Sequence, residues 1–221
     1  GKNTEQVAFF CHGRGGNGKS VLFKTICGVL GDYAYDAPAS LLQKNVHETN
    51  TNDVAATENK RFLVSSETLT ISRINEQRLK AWTGGDKVTA RYLYSEFFSF
   101  EPTVKPWLFI NHLPKVDDDS YAFWRRVRLI PFNRIFKEEE QDKELLNKLK
   151  VEYTGILSWL IEGCLRWQKE GLSPTPEIVI QGTQSYRQEN DVLAEFVASK
   201  CVEDESQMTK ASTLYTAYLE W

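Results

Sequence analysis

No apolar run in this 221-residue chain approaches the roughly 18 residues that a bilayer-spanning helix needs, so no membrane segment is expected. None of the four cysteines (Cys11, Cys27, Cys164, Cys201) forms a CxxC pair. That removes support for the common zinc and dithiol motifs and leaves reduced, mostly buried thiols. No signal-peptide pattern precedes the first strand-like segment, since Gly1-Lys2-Asn3-Thr4-Glu5 runs straight into it. The chain reads as an excised fragment of a cytoplasmic protein. Internal repeats and low-complexity tracts are missing, and so is any His–acid or His–Cys constellation around His112. The net charge of −3 does not favour a general polyanion binder. It does not exclude one, because a ring-shaped assembly holds nucleic acid on a few local cations.

What is present is an ordinary globular composition, 41% hydrophobic and 26% charged, with enough length for one or two domains and a sizeable core. Gln6 to Cys11 reads as a buried strand, and Ser20 to Leu30 as a helix closed by Gly31. A strand, a glycine-rich turn and a helix in that order predict an α/β layered domain. Further strands are expected at Arg61–Ser66, Pro106–Ile110 and Arg128–Phe132. A helix is expected at Ile74–Thr83, with Gly84-Gly85 closing it. Lys87–Tyr94 and Phe97–Glu101 flank Ser95-Glu96 as a hairpin. Glu138–Lys169 reads as helix with one or two breaks. Residues 171–190 read as a linker, whose Gly171–Pro176 stretch is rich in Gly, Ser, Thr and Pro. Residues 191–221 read as the unfinished start of a small helical module, with helices at Asp191–Lys200 and Lys210–Trp221.

The strongest chemical signal is Gly13-Arg14-Gly15-Gly16-Asn17-Gly18-Lys19-Ser20, which fits G-x-x-x-x-G-K-[ST] without a gap. Glycines there let backbone N–H groups turn toward phosphates, and the helix start adds positive potential. The nucleotide-binding set is therefore Gly13, Arg14, Gly15, Gly16, Asn17, Gly18, Lys19, Ser20 and Val21. Lys19 is expected on the β- and γ-phosphates of ATP, and Ser20 on Mg²⁺.

Glu67 ends the second strand, where a carboxylate polarises an attacking water and touches Mg²⁺ through water or nucleotide; a solvated strand-end acid is the plainer alternative. Asn111 ends the third strand, where an amide senses the γ-phosphate; alternatively it forms the turn before His112-Leu113-Pro114. Arg125 and Arg126 are either a solvated face or arginine fingers for a neighbouring subunit.

These elements come in one order. Together with Trp82-Thr83-Gly84-Gly85-Asp86-Lys87-Val88-Thr89-Ala90-Arg91, Asn111-His112-Leu113-Pro114 and Trp124-Arg125-Arg126-Val127-Arg128-Leu129-Ile130-Pro131-Phe132, they resemble the superfamily 3 helicases, in the phage, plasmid and poxvirus primase–helicase branch. The resemblance covers about residues 6–170. It implies a P-loop AAA+ type core over residues 1–170, a layered sheet with helices on both faces, followed by a small helical, winged-helix-like extension. It also implies an ATP- and Mg²⁺-dependent DNA helicase motor for the replication of a mobile element in a bacterial or virus-infected host cytoplasm. Its implied partners are single-stranded DNA, other copies in a hexamer, and a primase domain or primase.

Under the resemblance Lys19, Glu67, Asn111 and Arg125 or Arg126 are catalytic, and the hairpin holds DNA through Lys87, Arg91, Tyr92 and Tyr94. Ser66 stands where such motors usually carry the first of two acids. Two other readings stay open at this point: an ATP-switched DNA-binding or assembly module that does not unwind, and a P-loop small-molecule kinase.

Overall fold

The computed structural model describes residues 2–44, 51–66, 72–202, 204 and 206–221. Five strands form one parallel sheet: β1 (Ala8–His12), β2 (Ala34–Ala37), β3 (Phe62–Ser66), β6 (Lys105–Ile110) and β7 (Val127–Pro131), in the spatial order β2-β3-β6-β1-β7. Residues of the central strands are buried on both faces, as an all-parallel sheet requires. Phe10, Leu63 and Leu108 point to one side, and their neighbours Cys11, Val64 and Phe109 to the other. The strands expected from sequence are therefore present, and β2 is an addition.

Helices cover both faces. Helix α1 (Lys19–Leu30) lies on the Cys11 side, where Phe23 joins Phe62, Val64 and Phe109. The opposite side is closed by α3 (Glu76–Gly84), α4 (Tyr121–Trp124) and α7 (Glu177–Glu189), through Leu79, Trp82, Phe123, Trp124 and Tyr186. Helix α3 starts where Asn75 Oδ1 accepts the Arg78 N–H at 3.0 Å and stops at Gly85, whose φ of 81° suits glycine. A short α2 (Thr51–Ala55) and the antiparallel hairpin β4 (Val88–Ala90) and β5 (Phe98–Phe100) complete this half. Helices α5 (Leu145–Val151) and α6 (Tyr153–Glu170) pack back on α1. Helices α8 (Val192–Lys200) and α9 (Ala211–Glu220) occupy the two stretches expected to be helical after residue 191. No described helix is long and apolar enough to cross a membrane.

Part of the stretch expected to be a linker is structured. Helix α7 begins directly after Pro176 and docks on the sheet edge, where Thr183 Oγ1 accepts the Leu129 N–H at 3.0 Å. A Cβ on Gly182 would stand 2.8 Å from Leu129 Cδ2, so glycine sets how closely the helix approaches. Tyr186 is buried, donates its hydroxyl to Pro114 O at 2.6 Å and meets Trp124 edge-on. Only residues 171–176 have linker composition. The helix beyond them is fixed by contacts distant in sequence.

The acidic run Asp117–Asp119 is a fastening. Asp117 accepts from Lys44 at 2.8 Å and Arg73 at 3.1 Å, Asp118 pairs with Lys80 of α3, and Asp119 takes Arg187 of α7 at 3.3 Å. The hydrogen bond from Lys80, and then those from Ser120, pull the Asp118 carboxyl down to about 2. A folded value below the ordinary carboxylate pKa of about 4 means that the pair stabilises the fold above that pH. The contribution is lost as acid protonates Asp118, between about pH 4 and pH 2. Thermal melts from pH 6 to pH 2 should show Asp118→Asn losing less stability on acidification than wild type. Equal slopes for the two proteins would refute the pairing.

Candidate functional site

The carboxyl ends of β1 and β6 lie side by side, paired through His12 and Ile110. The chain leaves β1 toward β2 at one edge and leaves β6 toward β7 at the other. A crevice opens where connections diverge in this way, and ligands of open α/β sheets bind there. The Gly13–Ser20 turn fills its mouth.

Three features shape that turn. Gly16 and Gly18 take φ values of 73° and 83°, which side chains disfavour. A Cβ on Gly13 would overlap the backbone carbonyl of Phe132, so β7 and the turn touch backbone to backbone. Asn17 then braces the turn: Nδ2 donates to Phe132 O at 3.2 Å and Oδ1 accepts from Lys19 Nζ at 3.2 Å. Gly18 at the N-cap offers no side chain to the first N–H groups of α1, which suits a helix start that receives an anion.

Lys19 is buried, and its ammonium gathers the loop. Nζ donates to Gly13 O, to Arg14 O at 3.3 Å and to Asn111 Oδ1 at 3.1 Å. The structure thus joins the two sequence candidates that lie 92 residues apart. His12 Nε2 lies 3.2 Å from Asn111 O, and burial lowers the imidazole pKa. Burial also pushes the Cys11 thiol up to about 12, so this cysteine is inert packing. Ser20 and Val21 line the same cleft, whose volume is about 410 Å³. Glu67 lies outside the described residues. No cluster of three or more metal-ligating side chains occurs among the described residues.

Sequence reasoning missed the far wall of the cleft. Phe136, Glu140, Gln141, Asp142 and Leu145 line it, from the segment after β7 up to the first residue of α5. Their only sequence signal is position after the last sheet strand.

The other candidates lie elsewhere. Arg125 and Arg126 sit at the amino end of β7, the end of the sheet away from the phosphate turn. Arg125 is exposed and donates to Gln6 Oε1 at 2.6 Å. Arg126 is buried; its Nε donates to Thr83 Oγ1 at 3.1 Å and its Nη1 to Ala122 O.

The hairpin pairs Val88 with Phe100, and its loop is pinned. Tyr92 stacks on Phe98 and donates to Ala55 O at 3.1 Å, Leu93 N–H donates to Asn52 Oδ1 at 3.3 Å, and Arg91 lies 4.6 Å above the Phe97 ring. Lys87 is exposed at its base, and Tyr94 projects at the tip, 99% exposed with φ of 62°. A positive φ is uncommon for a residue other than glycine, asparagine or aspartate.

Comparison with known proteins places this arrangement. "Putative helicase L207/L206" of Acanthamoeba polyphaga mimivirus is 30% identical, across 100% of this chain and 25% of that protein. "Putative primase C962R" of African swine fever virus (isolate Tick/Malawi/Lil 20-1/1983) is 27% identical, across 95% of this chain and 24% of that protein. The chain therefore spans about a quarter of the length of these curated relatives. The apo structure of the NrS-1 C terminal region (305-718) shares the fold, with a TM-score of 0.60 at 14% identity, over 97% of this chain and 54% of that one. Residues 11–126, more than half of the chain, match the family described as "Family of unknown function (DUF5906)", and the chain belongs to that family.

Proposed function

We propose that this chain is the ATPase motor of a DNA-replication helicase of the superfamily 3, AAA+ type. The observation that carries the reading is the Lys19–Asn111 contact at 3.1 Å inside the glycine-lined turn. It brings the phosphate-binding and sensing residues to one point at the sheet's switch point. The strand order and the viral relatives named helicase and primase support it.

In this reading the inward N–H groups of Gly15 to Ser20 hold the β- and γ-phosphates of ATP. Lys19 neutralises charge that builds on the γ-phosphoryl group. Asn111, anchored by Lys19, aligns the phosphate or the lytic water. Glu67, next in sequence after β3, accepts a proton from that water. The exposed Ser20 hydroxyl on the cleft would be a protein ligand of Mg²⁺, with Glu67 reaching the ion through water or the nucleotide. When bound, the ion would offset the negative charge of the phosphates. An arginine from the next copy in a hexameric ring completes the site. The hairpin holds single-stranded DNA, with Lys87 and Arg91 near phosphates and Tyr94 against a base.

The test is steady-state ATP hydrolysis with and without single-stranded DNA, together with unwinding of a forked duplex. Wild type should be stimulated by DNA and should unwind. Tyr94→Ala should keep its DNA-free turnover while DNA affinity falls roughly tenfold, within the range of one base–aromatic stack. Hydrolysis that ignores DNA would end the helicase reading. DNA-stimulated hydrolysis without unwinding would favour an ATP-switched assembly module.

A further inference from the structure

The cleft extends past the phosphate turn to a second wall, and that wall is fastened to the turn itself. Phe136 N–H donates to Gly16 O at 2.8 Å. Gln141 Nε2 donates to Phe136 O at 2.9 Å, and Lys137 N–H donates to Glu140 Oε2 at 2.9 Å. Polar bonds, not burial, therefore set the position of this segment, and the Phe136 ring is left half-buried beside the cleft. Its Cε2 lies 3.9 Å from the place a Cβ would take on Gly18, so the ring reaches the residue that opens α1. Leu145, 38% exposed, adds an aliphatic side chain to the same wall.

Glu140 and Asp142 on this wall look unsuited to a cleft for a polyanion. Each is matched: Glu140 by Arg134 at 3.1 Å, Asp142 by Lys148 at 2.6 Å. A triphosphate entering the cleft does not meet bare carboxylate charge. One end of the cleft is thus cationic, while the other presents an aliphatic chain and a ring between neutralised acids; the Arg134 guanidinium lies 4.7 Å from the ring centroid and covers one face, so a ligand meets the other. That division matches a ligand with a polyanionic end and a flat apolar end.

On the reading that the turn binds phosphates, we propose that Phe136 and Leu145 form the platform that receives the base of a nucleoside triphosphate. The platform is preformed, because the Phe136 backbone is tied to Gly16 whatever its side chain.

Equilibrium binding of ATP and of inorganic tripolyphosphate, each with Mg²⁺, separates the two halves. Wild type should prefer ATP. Phe136→Ala should weaken ATP by about tenfold, the size of a base–aromatic stack, and leave tripolyphosphate unchanged. Leu145→Ala should shift ATP in the same direction by less, and Lys19→Ala should weaken both ligands. Equal losses for both ligands in Phe136→Ala, or an unchanged ATP preference, overturns the platform while the phosphate reading stands. Wild-type protein that binds neither ligand removes the phosphate reading, and the platform with it.

Discussion

Replacing Lys19 with alanine should weaken Mg²⁺–ATP binding and reduce turnover by roughly a hundredfold or more, the usual cost of removing a charged group aimed at developing phosphate charge. The size of the effect follows from where the ammonium sits. Nζ is buried under the turn and holds Gly13 O, Arg14 O, Asn17 Oδ1 and Asn111 Oδ1 around itself. An incoming γ-phosphate gains a charge-assisted bond to a group already held in position, so little ordering entropy is spent at the moment of binding. Without the ammonium, several oxygens face the anion directly. Asn111 loses its bond from Lys19 at the same time as the cation is lost.

The fold should survive the substitution. Asn17 and Asn111, two of the four residues that lose the ammonium, line the open cleft where water takes its place, and the packing of Phe10, Leu63 and Leu108 is not touched. A melting temperature near that of wild type, with hydrolysis gone, is the expected pair of results. Lys19→Arg should not rescue, because a forked guanidinium does not fit the space among those four oxygens. Wild-type-like turnover in Lys19→Ala would place the chemistry somewhere other than this turn.

The glycine-rich turn and the strands around it were legible in the sequence because the signals that set them are local. The turn needs glycine at Gly16 and Gly18 for backbone reasons that act within a few residues. The strands before it and at Phe62–Ser66 are short, apolar and bounded, as buried parallel strands are. Edge strand β2 was not legible. Ala34-Tyr35-Asp36-Ala37 has neither apolar continuity nor clear alternation, and it is a strand because it pairs with Phe62–Ser65. Helix α7 was hidden by the linker composition of the residues before it. Its position depends on Gly182 against Leu129 and Tyr186 against Pro114, contacts that no window of sequence contains. The Phe136 wall was hidden for the same reason, since its defining bond joins Phe136 to Gly16. Arg125 and Arg126 are indistinguishable in sequence, and only packing tells them apart.

That difference yields a sharp expectation about the neighbouring subunit. Arg126 is anchored inside its own protomer, between Thr83 Oγ1 and Ala122 O, and burial lowers its pKa. Removing it takes the donor from the buried Thr83 hydroxyl and opens space beside it, at a cost of roughly 2–4 kcal/mol. For a chain of this size that lowers the melting temperature by roughly 5–15 °C. Arg125 is exposed one turn after Tyr121, itself 77% exposed, so both project from the same side of α4. The described bond of its guanidinium, to Gln6 Oε1, is easily exchanged for a phosphate oxygen.

Arg125 is therefore the better candidate for an arginine finger. Arg125→Ala should keep wild-type stability and ATP binding while turnover falls roughly a thousandfold, the lower end of what such a finger supplies. For a finger that acts in trans, mixing two inactive variants should restore hydrolysis. In a mixed ring, an Arg125→Ala subunit keeps an intact Lys19 and borrows Arg125 from a Lys19→Ala neighbour. Recovered turnover in the mixture, with neither variant active alone, requires a site shared across the interface. Arg125→Ala that turns over ATP like wild type would return the finger role to Arg126 or remove it from this segment. A dead mixture of two stable, ATP-exchanging preparations would mean that each subunit's site is complete by itself.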